Sequence, residues 1–365
     1  MERVSESKLT ELEAALAKVI GGIQPIDAEA VEAAKRRLDQ LTKPPGSLGR
    51  LEELAWQIAG MTGRLDPDLS RKAVVVMAGD HGVCEEGVSA FPQEVTPQMV
   101  LNFLHGGAAV NVLARHAGAE VVCVDVGVKA DIAHPQLVSR KVRYGTANIA
   151  VGPAMSRAEA AQAVLVGVET VRDLGERGFR LFATGEMGIG NTTPSSALLA
   201  ALTGANVEAV VGRGTGIDEA RRQHKAAVVR RALEANREAV AAGAGDPLGV
   251  LAALGGLEIA GLVGVIIGAA AQHCPVVIDG FISSAAALVA SRLAPEAASY
   301  MLPSHLSQEQ GHRQLLEGIG MKPMLEMGMR LGEGTGAVLG LPIVEAAVKI
   351  MNEMATFESA GISKG

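Results

Sequence analysis

The chain has 365 residues, a formal net charge of -7 and 48% hydrophobic residues, enough for one large domain with an appendage or for two modest domains. The acidic balance leaves no broad basic surface for nucleic acid, and no run of Lys and Arg marks a membrane-surface patch, so the expected partner is a small molecule. Cys84, Cys123 and Cys274 are odd in number, widely separated and without a CxxC pair, which fits neither a disulfide framework nor a zinc site and points to a reducing cytoplasm.

In chain order, residues 1–7 are charged and lack the apolar core of a signal peptide. Residues 6–62 read as helical: Leu9, Leu12, Leu16 and Val19 fall at helical spacing, and a second amphipathic run covers 28–41. Lys43-Pro44-Pro45-Gly46 forces a turn, and Ser47 is the predicted N-cap of a helix through Leu51, Leu54 and Ile58. From Lys72 the character changes. Short apolar, β-branched runs at 73–78, 121–126, 179–184, 209–211 and 275–278 predict buried strands, mostly separated by helical patterns, and hence a parallel, doubly wound sheet. The runs end in Gly79-Asp80-His81-Gly82, Asp125-Val126-Gly127, Gly185-Glu186, Gly212-Arg213-Gly214 and Asp279-Gly280, tips expected to converge on one crevice. Residues 250–271 come nearest to a membrane span, but Glu258 and five glycines interrupt them, so a buried helix or helix pair is expected. Residues 342–357 return to helix, with Val344, Ala347, Val348 and Met351 on one face, and are expected to pack with the N-terminal helices as a smaller domain.

Two glycine-dense segments each hold one carboxylate: Gly185-Glu186-Met187-Gly188-Ile189-Gly190-Asn191-Thr192-Thr193 and Leu331-Gly332-Glu333-Gly334-Thr335-Gly336. Glycines let backbone N–H groups close on an oxyanion, and a carboxylate beside them can handle a proton or a ribose hydroxyl, a combination suited to phosphorylated-sugar chemistry. The first segment follows a predicted strand and leads into a helix expected to start near Pro194, with that proline at the first helical position, the geometry of a phosphate site at a helix N-terminus. Its spacing is not GxGxxG, and no P-loop lysine follows. Residues 212–218 form a second such turn with Lys225 about two helical turns on; a phosphate-binding lysine and a solvated one are equally open. Asp80 and His81 read as a loop hydrogen-bonding pair rather than metal ligands, and His305 and His312, flanking Glu309, as solvated helix positions. Met321, Met324, Met327 and Met329 read as core filler. Glu333 is a base if its loop is partly dry and a surface turn acid otherwise.

Together with Lys43-Pro44-Pro45-Gly46-Ser47-Leu48-Gly49-Arg50-Leu51-Glu52, Ala78-Gly79-Asp80-His81-Gly82-Val83 and Gly87-Val88-Ser89, these motifs resemble the nicotinate-nucleotide–dimethylbenzimidazole phosphoribosyltransferase family, in order from about residue 40 to 340. The resemblance implies an α/β fold with a Rossmann-like parallel sheet flanked by helices (70–325), and a smaller helical domain formed by the N- and C-terminal segments (1–69 and 326–365). It also implies a homodimer, no cofactor and no metal, and transfer of phosphoribose from nicotinate mononucleotide to 5,6-dimethylbenzimidazole. By the same resemblance Glu333 matches the catalytic base, and Glu186, Gly188, Ile189, Gly190, Asn191, Thr192, Gly214, Gly216 and Lys225 match nucleotide-handling positions. Ser89, Leu331 and Gln98, with Gln93 as the rival to the last, match the base pocket, and Asp80 and His81 are further candidates. Gln310 stands where the family pattern has proline. The competing readings are a related phosphoribosyltransferase using another base, one using phosphoribosyl pyrophosphate, which would want adjacent acids where Asp125 and Asp279 each stand alone, and a non-catalytic nucleotide sensor.

Overall fold

In the computed structural model residues 6–214 and 216–363 are described; the reading of the first residues as lacking a signal core falls largely outside them, as does Thr215 of the 212–218 turn. Six strands, β1 (Lys72–Gly79), β2 (Glu120–Gly127), β3 (Val138–Ser139), β4 (Leu181–Met187), β5 (Val276–Ile278) and β6 (Met301–Pro303), form one sheet in the order β3-β2-β1-β4-β5-β6. Every pairing is parallel. In such a sheet the chain reverses its direction of winding between β1 and β4, which opens a crevice at their carboxyl ends. The helices are α1 (Glu6–Gly21), α2 (Ala28–Asp39), α3 (Arg50–Thr62), α4 (Val95–Leu104), α5 (Ala109–Ala117), α6 (Arg157–Glu176), α7 (Thr192–Thr203) and α8 (Val207–Val210). They continue with α9 (Glu219–Ala235), α10 (Arg237–Ala242), α11 (Pro247–Leu254), α12 (Leu257–Ala271), α13 (Phe281–Leu293), α14 (His312–Ile319), α15 (Thr335–Glu353) and α16 (Phe357–Ala360).

β1 is buried along its whole length, as a central parallel strand covered on both faces must be, and this is why it reads as an unbroken apolar run. The expected helix pair at 250–271 is α11 and α12, broken at Gly255-Gly256, with Glu258 fully buried. α15 is long and apolar enough to cross a membrane by length and composition, and its buried side packs on α3, α5, β4 and β5. The two ends of the chain meet: Leu41 bridges Thr356, and Arg37 donates to the carbonyls of Met351 and Met354. α1 instead packs on α6 and α12.

Several expectations change. Residues 209–211 are no strand; 207–210 form a single helical turn started by the Asn206 side chain, which accepts the Glu208 N–H, so the 212–218 turn is not a strand tip. The strand expected at 179–184 runs from Leu181 to Met187, carrying Glu186 inside it. β3 and β6, with two and three residues, are too short to show a period and were not expected. Ser47 is not the N-cap: α3 starts after Gly49, at φ +52°, without a side-chain cap. Asn191 is the N-cap of α7, placing Pro194 at the third helical position, where a missing N–H still costs nothing. The last long helix begins at Thr335, seven residues before Pro342, which lies on its exposed side, and it ends at Glu353.

Candidate active site

Two glycine segments meet at the carboxyl end of β4. Gly332, Glu333 and Gly334 have φ of +88°, +65° and +97°, three successive left-handed residues that turn the chain sharply into α15. A glutamate held there costs about 1–3 kcal/mol, a strain that accumulates at functional positions. The loop lies directly on β4, since a Cβ at Gly185 would stand 2.5 Å from the Glu333 carbonyl oxygen. Asp279, at the end of β5, fixes the other side by accepting the N–H groups of Gly334 at 3.1 Å and Ala337 at 2.9 Å. So Asp279, which stood alone in the sequence, caps α15 and locks the loop.

Glu333 is only 5% exposed, so the surface-acid reading does not hold. Burial raises its pKa, the Val110 N–H at the N-terminus of α5 opposes the rise from 3.5 Å, and the Asp279 charge adds to it. Glu186 is buried beside it; burial first, and the Asp279 and Glu258 charges with it, push its pKa up to about 8 against the Asn191 amide and the Glu333 N–H. Near neutrality Glu186 is thus a protonated acid, with both oxygens also accepting: Oε1 from the Glu333 N–H at 3.2 Å and Oε2 from the Asn191 side chain.

These groups line a cleft of about 230 Å³. Of the sequence-derived candidates it brings together Glu186, Gly188, Ile189, Gly190, Asn191, Thr192, Gly214, Leu331 and Glu333. Gly190 has φ +90°, and a Cβ there would meet the Cys84 sulfur at 2.6 Å. Lys225 is not solvated. It is 1% exposed, stands behind the wall with Nζ 2.6 Å from Thr192 Oγ1, and has a pKa lowered to about 8 by burial, with Glu309 opposing. Gly216 is exposed and outside the lining.

Ser89, Gln98, Asp80 and His81 do not line the cleft either. Ser89 accepts the N–H of Phe91, which does line it; Gln98 is exposed on α4, and the rival Gln93 donates to the His81 carbonyl. Asp80 and His81 do not pair with each other: Asp80 accepts the Lys129 N–H, and His81 contacts Glu258. The Asp125 tip is likewise outside the cleft, where Lys141 pairs with it at 3.0 Å.

The sequence reading missed a second wall, formed by Gly280, Phe281, Ile282 and Ser283 at the N-terminus of α13, with Ser307, Glu309 and His305. Ser283 Oγ is buried without a partner. The signal available was Asp279-Gly280 at a strand end followed by a helical run. His305 and His312 are buried, contrary to expectation: His312 bridges Ser284 Oγ and the Ser307 N–H, and burial drives its pKa down to about 3. Glycine permits this packing, since a Cβ at Gly336 would overlap the His305 ring. Met321 and Met324 pack against the core as expected, whereas Met327 is 59% exposed. Arg330 also lines the cleft and donates to the Gly214 carbonyl. A larger cavity, about 800 Å³, lies between α6, α10 and α11, but its Arg143, Arg157 and Arg237 are each paired with a carboxylate.

A family model described as phosphoribosyltransferase matches residues 23–362. The nicotinate-nucleotide–dimethylbenzimidazole phosphoribosyltransferase of Chloroflexus aggregans is 57% identical over 350 residues, 96% of this chain and 98% of the relative. That of Desulforamulus reducens is 58% identical over 352 residues, 96% of this chain and 99% of the relative. The crystal structure of the enzyme of that name from Thermus thermophilus matches with a TM-score of 0.87 at 48% identity, over 93% of this chain and all of that one. The chain therefore belongs to the nicotinate-nucleotide–dimethylbenzimidazole phosphoribosyltransferase family.

Proposed function

We infer that this chain transfers phosphoribose from nicotinate mononucleotide to 5,6-dimethylbenzimidazole, giving α-ribazole 5′-phosphate and nicotinate in the assembly of the cobalamin nucleotide loop. The observation that carries the assignment of roles is Glu333, a buried carboxylate in a left-handed turn at the cleft, beside the N-termini of α7 and α13.

Nicotinate leaves C1′ as the electron pair of the C1′–N bond returns to a pyridinium, so departure relieves positive charge and needs no general acid. The incoming benzimidazole becomes cationic as one ring nitrogen bonds C1′. Glu333 takes the proton from the other nitrogen, a general-base contribution of about 10²- to 10⁴-fold. The 5′-phosphate is held at the Gly188–Thr192 turn and the facing N-terminus of α13, where the helix-start N–H groups and the two helix dipoles favour an anion. Lys225 and Arg330, both beside Gly214, add positive charge on that side. With the phosphate and ribose fixed, attack comes opposite the departing ring, and the β-nucleotide becomes an α-nucleotide by inversion. Protonated Glu186 is placed to donate to a ribose oxygen while it holds the Glu333 peptide. Phe91 and Leu331, 53% and 58% exposed at the cleft, offer apolar surface to the flat acceptor base.

The protein acts as a homodimer in the cytoplasm in this reading. The family resemblance supports the dimer, and the three free cysteines support the reducing compartment. The bridge between Leu41 and Thr356 supports a smaller helical domain built from the two termini. The deciding experiment incubates the protein with nicotinate mononucleotide and a panel of bases and identifies products by mass. Release of nicotinate with a matching α-nucleotide supports the assignment, and a mixture that stays unchanged with every base overturns it.

A further inference from the structure

Beneath the turn that opens α7 lies a pair of ionisable groups for which the transfer chemistry has no use. His81 follows β1 and Glu258 is the second residue of α12; His81 Nε2 and Glu258 Oε1 are 2.6 Å apart, and neither residue is more than 1% exposed. Burial alone would lower the imidazole pKa, but the Glu258 charge and hydrogen bond, with the Asp80 and Glu186 charges, outweigh it and raise it. Glu258 Oε2 has no partner. A buried polar pair with one oxygen unsatisfied is a poor way to stabilise a fold, since apolar side chains of similar volume do as well or better.

What the pair touches gives it a purpose. A Cβ at Gly188 would lie 2.5 Å from the Gly79 carbonyl oxygen, 3.0 Å from Glu258 Oε1 and 3.1 Å from His81 Nε2. A Cβ at Gly256 would lie 2.3 Å from His81 Cε1 and 2.7 Å from Glu258 Oε2, and one at Gly79 would lie 3.2 Å from that same oxygen. Three backbone segments, the ends of β1 and β4 and the α11–α12 junction, therefore close directly on the two side chains. The next residue of the turn is held separately: the Ile189 N–H donates to Thr96 Oγ1 at 3.1 Å and its carbonyl accepts from the Cys84 thiol at 3.0 Å. The side-chain atoms nearest to a Cβ at Gly188 both belong to the His81–Glu258 pair.

We propose that the His81–Glu258 pair is a positioning element for phosphate binding, setting the height of the Gly188 turn so that the N–H groups at the start of α7 face the nucleotide phosphate. The proposal rests on the transferase reading and on the phosphate lying at that turn. Neither residue touches substrate, so the effect falls on nucleotide affinity rather than on the chemical step.

The test compares His81→Leu and His81→Gln with the wild-type enzyme on nicotinate mononucleotide and on nicotinate riboside, which lacks the phosphate. His81→Leu raises KM for the nucleotide by about tenfold or more, with kcat and the riboside KM within about threefold; His81→Gln, which keeps a donor for Glu258, recovers a large part of the loss. Equal rises for nucleotide and riboside, or a fall in kcat with KM unmoved, overturn the proposal. Should His81→Leu fail to fold, Glu258→Gln preserves shape and an acceptor for the imidazole; a smaller nucleotide-specific rise in KM is expected, and an unchanged KM overturns the idea. Wild-type turnover is measured first. Its absence would defeat the transferase reading, whereas turnover with insensitive variants would defeat this proposal alone.

Discussion

The Glu186 carboxyl group accepts the backbone N–H of Glu333 at 3.2 Å, so the acid at the end of β4 holds the peptide of a residue whose side chain lines the cleft. The two acids differ in consequence of their surroundings. Burial pushes the Glu186 pKa up to about 8, and it raises that of Glu333 as well, but there the Val110 N–H at the start of α5 opposes the rise. Two buried acids with different surroundings thus stand side by side at one cleft.

Glu333→Gln is expected to lower kcat by about 10²-fold or more while the far-UV spectrum and melting temperature stay close to wild type, because the amide keeps the shape but cannot accept a proton. Near-normal turnover at neutral pH in that variant would remove Glu333 from the base role.

The architecture was legible in the sequence because β1 and β2 are buried strands with dense β-branched runs, and helices of full length separate them. Glu333 and Glu186 were legible because glycine motifs mark places where backbone must come close, as Gly185 does against Glu333. Pairings remote in sequence were not. Nothing local in His81 announces Glu258, 177 residues away, and nothing in Asp279 announces that it caps a helix starting at Thr335. The wall at the start of α13 was missed because neutral Ser283 and three apolar or glycine neighbours carry no chemical signature; their N–H groups do the binding in the reading above. Lys225 looked like any helix lysine until packing buried it.

Glu186 gives a pH signature in stability. Its folded pKa of about 8 lies above the ordinary glutamate range, so the native state binds its proton more tightly than the unfolded chain. That contribution is complete below the unfolded pKa and is lost as pH rises through about 8. Glu186→Gln removes the titration. Urea unfolding at a series of pH values should show wild-type stability falling more steeply than the variant's from mildly acidic pH towards 8, and parallel curves would count against a neutral Glu186.

Lys225→Met is expected to raise KM for nicotinate mononucleotide by roughly 10- to 100-fold, the equivalent of one charge-assisted hydrogen bond. The nucleotide KM should also become less sensitive to added salt. Burial has lowered the Lys225 pKa to about 8, so the wild-type KM should climb as the free enzyme loses this proton above that pH, while the variant's stays flat. Nicotinate riboside is the control: an equal loss on riboside would assign Lys225 to the ribose or the fold instead of the phosphate.

Phe91→Ala tests the acceptor side of the cleft. Phe91 was not among the residues the motifs pointed to, yet it lines the cleft while Gln98 does not, and it is 53% exposed although it is large and apolar. An aromatic side chain left half open beside Leu331 gains from covering a flat aromatic ligand, by about 0.5–1.5 kcal/mol beyond simple area burial. Truncation is therefore expected to raise KM for 5,6-dimethylbenzimidazole by about 3- to 10-fold and to leave the nicotinate mononucleotide KM within about twofold. The loss should shrink for a small acceptor such as imidazole, which offers less ring to cover. Steady-state kinetics with each substrate varied at saturating levels of the other separate these outcomes. A rise confined to the nucleotide would place Phe91 against the nicotinate ring, and the acceptor would then have to enter past Leu331 without it.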